Sequence, residues 1–165
     1  MRPRWLLIAV SFLLAFIAGA RAEDACAVTT PPNPPFVPPA PYRPNPSDEH
    51  FWYGTNELWT LLPVENVWRL DRRNNEGYRN KLFLWQEGWD RRKEPYPPGP
   101  DIPVVLKRLD ANMPPITSQG GTNAFFDNTW AMLTMLEIPT EGCWEVTAFH
   151  KGDKLTFVLS ILPPE

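Results

Sequence analysis

The sequence predicts an all-β protein, and three observations lead to this fold class. Short apolar-rich runs follow one another through residues 49–165, with turn residues between them. The runs are rich in β-branched and aromatic residues, and no uncontested helical stripe reaches ten residues. Two alternating segments near the C-terminus are joined by a glycine turn, as in a hairpin. We therefore predict an immunoglobulin-like β-sandwich of about seven short antiparallel strands, with a small barrel as the alternative.

Each predicted strand ends at a proline or in a turn-rich segment. Proline cannot donate a ladder hydrogen bond, so Pro63 and Pro139 each end a run. Residues 131–137 also suit a helical turn, but the segment is short and its neighbours are β-like, so we favour a strand. The runs before the hairpin cover residues 57–62, 66–70, 81–85, 104–109, 122–126 and 130–138.

The clearest pattern is the C-terminal hairpin. In residues 143–149, Trp144, Val146 and Ala148 share one face, while Cys143 lies on the other. Residues 154–162 also alternate, and the connection at residues 150–153 contains a glycine for the positive φ. The strands should bury one face each, and His150 is expected to be exposed in the turn.

The N-terminus has the three-part layout of a secretory signal peptide. Arg2 and Arg4 precede an apolar run at residues 5–20, and small residues then lead to a cleavage site after Ala22. We predict a signal peptide at residues 1–22 and a secreted, periplasmic or cell-surface protein. The alternative is a retained anchor, although sixteen apolar residues are few for a span that needs about twenty.

A proline-rich arm separates this segment from the domain. Nine of the sixteen residues 31–46 are proline, which excludes a helix or a central strand. We predict an extended polyproline-II arm over residues 23–48, reaching roughly 50 Å, and a β-sandwich domain over residues 49–165. The arm is expected to be a spacer or a surface wrap, with a docking ligand as the alternative.

Charge argues against nucleic acid as a partner. The full chain has a net charge of −3; without residues 1–22 it has 13 basic and 19 acidic residues, a net charge of −6. The single three-residue basic run, residues 91–93, is flanked by Asp90 and Glu94. Binding phosphates requires clustered Lys and Arg, so we expect no nucleic-acid partner, and no membrane span after cleavage.

Cys26 and Cys143 are the only cysteines, so one intramolecular pairing exists. We predict this disulfide, because export brings the chain to an oxidising compartment. Since Cys143 faces away from the core, the bond would tie the arm across the outside of the sheet. Closing a loop of about 117 residues contributes at most ~4–5 kcal/mol. Intermolecular pairing and free thiols are the alternatives.

The sequence carries no catalytic or metal-binding constellation. His50 and His150 lack a second His or Cys at ligand spacing, so we expect no metal and no cofactor. No serine lies in a nucleophile elbow, and acid pairs such as Asp48 and Glu49 arise by chance among nineteen acids. The protein is predicted not to be an enzyme. The alternative is a small secreted hydrolase that uses His50 with a carboxylate.

Aromatic residues are the one surplus, at 13 % with eight tryptophans. Most are expected to fill the core of the domain. Trp89 and Tyr96, both in the proline-rich loop of residues 88–103, are the residues expected to be exposed. We predict them as a contact surface, because exposed rings stack on sugars or bind protein partners.

Several motifs carry a resemblance. They are residues 51–60 (FWYGTNELWT), residues 81–85 (KLFLW), Arg108-Leu109-Asp110, residues 138–147 (IPTEGCWEVT) and residues 155–158 (LTFV). On these motifs the chain resembles uncharacterised secreted or surface proteins of bacteria with a C-terminal Gly-Cys-Trp-Glu-Val-Thr hairpin motif. In those proteins the lysine-led motif ends in two tryptophans, whereas Leu84 precedes Trp85 here. The resemblance covers most of residues 51–161.

The resemblance implies a bacterial, extracytoplasmic, immunoglobulin-like domain of unknown role, without catalytic residues. Together with the residue patterns it predicts a non-enzymatic binding or structural module of the cell envelope. The expected partner is an envelope protein or a glycan.

Overall fold

The computed structural model describes residues 26–42, 46–73, 76–94, 99–126 and 128–165. The predicted signal peptide at residues 1–22 lies outside them. Within the described ranges, the chain forms ten β-strands and one short 3-10 helix at Arg91–Lys93. None of the helices in these ranges has the length and apolar character needed to cross a membrane.

The strands confirm the all-β prediction, although they number ten in the described residues rather than about seven. Two were not predicted: β1 directly follows the proline-rich segment, and β6 has only three residues. They are β1 (His50–Thr55), β2 (Leu58–Pro63), β3 (Val67–Arg69), β4 (Tyr78–Trp85), β5 (Val104–Arg108), β6 (Ile116–Ser118), β7 (Thr122–Phe126), β8 (Thr129–Ile138), β9 (Gly142–His150) and β10 (Asp153–Leu162).

The strands form two five-stranded sheets that pack face to face. The first has the order β1-β2-β4-β8-β7 and the second the order β3-β10-β9-β5-β6. Apolar side chains from both sheets fill the space between them, among them Leu84, Met132, Trp144 and Phe157. Alternate residues of each strand face this layer, as the period of a strand requires. The β-sandwich is therefore confirmed.

One strand pair corrects the expectation of an antiparallel fold, because β3 pairs with β10 in parallel. The chain crosses from the first sheet to the second between β2 and β3, at a corner that contains the buried Asn66. Asn66 has a positive φ of 47°. Its Nδ2 donates to the carbonyl oxygen of Val158 at 2.6 Å. This side-chain bond fixes the corner against β10 and sets the direction of β3.

The predicted hairpin is present, with β9 and β10 antiparallel and His150 opposite Asp153. Lys151 and Gly152 have φ values of 48° and 94°, as a two-residue hairpin turn requires. The expectation of an exposed His150 is wrong, because its side chain is only 2 % exposed. His150 is the last residue of β9 and shares the inward face of Ala148, so only Lys151 and Gly152 form the turn.

The predicted disulfide is present: Cys26 is bonded to Cys143, with their Cα atoms 5.4 Å apart and a sequence separation of 117. Cys143 occupies the outward face of β9 and is buried. Three residues after Cys26, the Thr29 N–H donates to the Val158 carbonyl at 2.9 Å. The Val158 N–H donates to Thr29 Oγ1, also at 2.9 Å. The start of the arm is thus fixed to the second sheet by a covalent bond to β9 and two hydrogen bonds to β10.

The arm then packs on the other sheet. Phe36 and Tyr42 contact an apolar cluster that is separate from the core between the sheets. We call this the outer aromatic cluster; its buried members are Trp52, Trp59, Trp85 and Ala131. The rings of Tyr42 and Trp59 meet edge to face, with centroids 5.3 Å apart. The described part of the arm therefore wraps the domain, and these tryptophans lie outside the inner core.

Candidate functional site

Several connections between strands meet at one end of the sandwich. Gln86, after β4, donates from Nε2 to Asp153 Oδ2 of β10 at 2.9 Å. Asn123 of β7 donates from Nδ2 to the carbonyl oxygen of Glu94 at 3.2 Å. These side-chain bonds hold the long β4–β5 connection against both sheets. We call this region the loop-end site.

A cleft of about 460 Å³ opens at the loop-end site. It lies where the β4–β5 connection approaches the end of β9. Its lining includes Glu94, Asp101, Pro103, Phe149, His150 and Lys151. The cleft therefore brings together a carboxylate, an imidazole and an ammonium group.

His150 is the buried polar residue of this cleft. Its Nδ1 lies 3.2 Å from the carbonyl oxygen of Asp101. A carbonyl only accepts hydrogen bonds, so Nδ1 carries the proton. The opposite nitrogen, Nε2, is buried and has no hydrogen-bond partner within the described part of the chain. It lies 3.7 Å from Glu94 Oε1.

Glu94 connects the cleft to its surroundings. Lys151 Nζ pairs with Oε1, and the indole Nε1 of Trp89 donates to Oε2 at 3.1 Å. Burial raises the pKa of Glu94, but the hydrogen bonds from Lys151 and Trp89 outweigh it, so that the pKa lies below its ordinary value. The carboxylate is therefore ionised at neutral pH and presents a fixed negative charge beside His150.

Of the two predicted contact residues, Trp89 and Tyr96, the structure describes only Trp89. Trp89 is half-buried rather than exposed, and it packs against the core. Its only polar atom donates to Glu94, which holds the ring in place. Tyr96 lies outside the described residues. A contact surface made by these two side chains stays a prediction.

An exposed aromatic pair lies on β7 and β8, at residues that were not predicted to form a contact surface. Phe125 and Trp130 are opposite each other in β7 and β8. They are 61 % and 39 % exposed, and their ring centroids are 5.4 Å apart. The guanidinium carbon of Arg91 lies 3.9 Å from the Trp130 ring centroid. The adjacent Phe125 and Phe126 were a usable signal, since neighbouring residues of a strand face opposite sides.

His50 lies away from this site, at the start of β1. Its Nδ1 is 3.1 Å from Ser47 Oγ. Among the described residues, the histidine that lies close to a carboxylate is His150, beside Glu94, rather than His50. No group of three or more His, Cys, Asp or Glu residues in those ranges is arranged to hold a metal ion.

Arg91 belongs to the β4–β5 connection, so the exposed aromatic pair adjoins the loop-end site. Compared with models of protein families, with curated proteins and with solved structures, the chain matches none of them.

Proposed function

We propose that this chain is a non-enzymatic binding module that works outside the cytoplasm, at the bacterial cell envelope. The signal peptide proposed at residues 1–22 would export it. The disulfide between Cys26 and Cys143 is compatible with that compartment, because disulfides persist in oxidising environments.

The domain is proposed to be immunoglobulin-like, and its strand order supports this. In the first sheet, β2-β4-β8-β7 follows the order A-B-E-D of that fold. In the second sheet, β10-β9-β5-β6 follows the order G-F-C-C′. Loops of such sandwiches cluster at the two ends and carry binding sites. The loop-end site occupies one of these positions.

The exposed aromatic pair is the observation that carries the proposal. Phe125 and Trp130 expose large apolar rings side by side, and Arg91 lies over one of them. Aromatic residues and arginine dominate the binding energy of interfaces, whereas scattered exposed apolar residues need no explanation. Because Arg91 covers one face of Trp130, a protein surface that contacts all three side chains fits better than a stacked sugar. The preferred partner is an envelope protein, and a glycan is the second ligand class.

The test compares two variants in capture from the native envelope, beside a glycan array. The double substitution Phe125→Ser with Trp130→Ser removes both exposed rings. Val64→Ser is the matched control, because Val64 is exposed in the β2–β3 connection outside the loop-end site. We expect the double variant to lose at least tenfold in affinity for the captured partner, and Val64→Ser to retain it. Equal capture by both variants would contradict the proposal.

Hydrolysis is a second candidate, favoured by one observation. His150 Nε2 lies 3.7 Å from Glu94 Oε1 beside an open cleft. A buried histidine next to a carboxylate is able to act as a general base toward water. In this candidate His150, rather than the expected His50, is the base. Turnover of ester, amide or glycoside substrates that disappears with His150→Asn would favour it over binding alone.

A further inference from the structure

The exposed aromatic pair continues the core-facing side of the first sheet beyond the core. In the register of β7 with β8, the pair of Phe125 and Trp130 lies two residues from the pair of Asn123 and Met132. Residues two apart in a strand share a face, and Met132 is buried between the sheets. Phe125 and Trp130 are exposed on that same face, so the second sheet does not cover them. A docking partner therefore meets an apolar extension of the sandwich core.

Arg91 brings a positive charge to this apolar surface. It is exposed, and its guanidinium carbon lies over the Trp130 ring, 3.9 Å from the centroid. Stacking on a ring restricts the side chain, while the planar guanidinium keeps a fork of N–H donors that matches a carboxylate. Residues 122–126 and 128–136 of the hairpin contain no acidic residue. Asp127, in the turn of that hairpin, lies outside the described residues.

Asp90, the acidic residue that precedes Arg91 in sequence, is already paired with Arg92. The Nε and Nη2 atoms of Arg92 donate to the two carboxylate oxygens of Asp90 at 3.0 and 2.8 Å. These hydrogen bonds lower the pKa of Asp90 to about 2. Asp90 is therefore ionised at neutral pH, and both of its oxygens are bound to Arg92 rather than to Arg91.

Glu94, at the other end of the basic run, is paired as well. Lys151 Nζ binds its Oε1, so this carboxylate is held in the cleft. Residues 90–94 and Lys151 together carry four positive and two negative charges, a net charge of +2 in a chain whose net charge is −3. Within the described ranges, Arg91 and Lys93 have no ion pair. The surface around the exposed aromatic pair is thus locally basic on an acidic protein.

We propose that Arg91 and the exposed aromatic pair recognise an acidic segment of a partner protein, in which a carboxylate side chain neighbours an apolar one. The carboxylate binds Arg91, and the apolar side chain covers Phe125. A neutral or basic segment leaves the guanidinium covered without a counter-charge, which is unfavourable. An anionic glycan supplies carboxylates but no apolar side chain for Phe125. The inference rests on the proposed function, because it names the chemistry of the partner at the same surface.

The first experiment uses the unmodified protein and two peptides of equal shape, Ac-Gly-Glu-Leu-Glu-Gly-amide and Ac-Gly-Gln-Leu-Gln-Gly-amide. They differ in charge, because glutamine replaces each carboxylate by an amide. Nitrogen–proton NMR follows the indole N–H of Trp130 and the Nε–H of Arg91, and it detects weak binding. We expect the glutamate peptide to shift both signals to saturation, and the glutamine peptide to bind at least fivefold more weakly. Equal affinities, or no shift with the glutamate peptide, would overturn the inference.

The second experiment compares Arg91→Gln with Lys107→Gln. Both substitutions remove one positive charge, and Lys107 is exposed on β5 of the second sheet, outside the basic run. Affinity for the glutamate peptide should fall at least fivefold in Arg91→Gln and stay unchanged in Lys107→Gln. An equal affinity in the two variants would contradict a specific role of Arg91, since it would leave only the net charge of the protein.

Polygalacturonate, a glycan rich in carboxylates, tests the other class of partner. Tighter binding of the glutamate peptide than of polygalacturonate supports the inference, and tighter binding of polygalacturonate overturns it.

Capture from the envelope separates this inference from the proposed function. If the double variant of Phe125 and Trp130 loses the partner but Arg91→Gln retains it, the binding surface stands and the acidic partner does not. If the glutamate peptide binds through Arg91 while the double variant still captures the partner, the carboxylate site stands and the proposed function fails.

Discussion

The carboxylate of Asp110 accepts a hydrogen bond from the backbone N–H of Cys143, with 3.1 Å between Oδ2 and the nitrogen. Arg108 Nε donates to Asp110 Oδ1 at 2.6 Å, and Arg108 also donates to Thr140 Oγ1 at 2.6 Å. Two motifs that are distant in sequence therefore meet at the start of β9. Together they position Cys143 for its bond to Cys26.

Asp110→Asn should lower the free energy of unfolding by about 1–2 kcal/mol at pH 7, since a hydrogen bond to a charged group contributes this much at a partly exposed position. The guanidinium of Arg108 is the main cause that lowers the pKa of Asp110 below its ordinary value, and the Cys143 N–H adds to it. A lowered pKa stabilises the fold above the unfolded pKa of about 4, and this contribution is lost as pH falls through the folded value.

The measurement is urea unfolding of both proteins at pH 7 and at pH 3. The difference in unfolding free energy between the two proteins should narrow at pH 3, because protonation removes the charge of Asp110, whereas Asn does not titrate. A difference of the same size at both values would show that the charge of Asp110 is not the source of the stability.

Gly142→Ala should destabilise the protein more than Gly152→Ala. Both glycines have positive φ values, 125° and 94°, so both alanines are strained. A Cβ at Gly142 would lie 2.5 Å from Asp110 Oδ2, whereas a Cβ at Gly152 has no atom within 4 Å. We expect a cost of about 1–2 kcal/mol at Gly152 and at least about 1 kcal/mol more at Gly142. Thermal unfolding measures both, and equal losses would refute the steric contact.

Replacing both cysteines by serine should lower stability by up to about 4–5 kcal/mol, the chain-entropy limit for a loop of this length. The loss acts on the unfolded state, which becomes free to expand. Urea unfolding of the double variant measures the change. Mass spectrometry of the unmodified, non-reduced protein should show residues 26 and 143 in one linked peptide pair. Two alkylatable thiols would contradict the bond.

Tyr42→Ala should expose the outer aromatic cluster. The ring of Tyr42 meets the edges or faces of Trp52, Trp59 and Trp85. Losing a half-buried ring costs about 1–2 kcal/mol and moves tryptophan emission to longer wavelength. Val37→Ala is the control in the same arm, because Val37 is 55 % exposed and should change stability by less than about 0.5 kcal/mol. Unaltered emission in Tyr42→Ala would argue against the packed arm.

Local patterns were sufficient for much of the fold. Alternation over residues 143–149 and 154–162, with Gly152 between them, predicted the β9–β10 hairpin and which residues face the core. The disulfide followed from the presence of only two cysteines. β6 escaped prediction because its three residues form a strand through pairing with β5, which no local pattern reveals.

The candidate sites depend on contacts that local patterns do not contain. Trp59 and Trp144 look alike in sequence, yet one lies under the arm and the other between the sheets. His150 and Glu94 are brought together by the β4–β5 connection, so neither signalled the cleft alone.

The strand class, the alternation of faces and the single cysteine pair can be read from the order of residues, because they follow from periods of two residues and from composition. What covers each face depends on how distant parts of the folded chain pack together. The arm reaches the outer tryptophans after it has been fixed to the opposite sheet at Cys143. Burial is a property of distant segments that come together, and such proximity is not encoded in any short stretch of the chain.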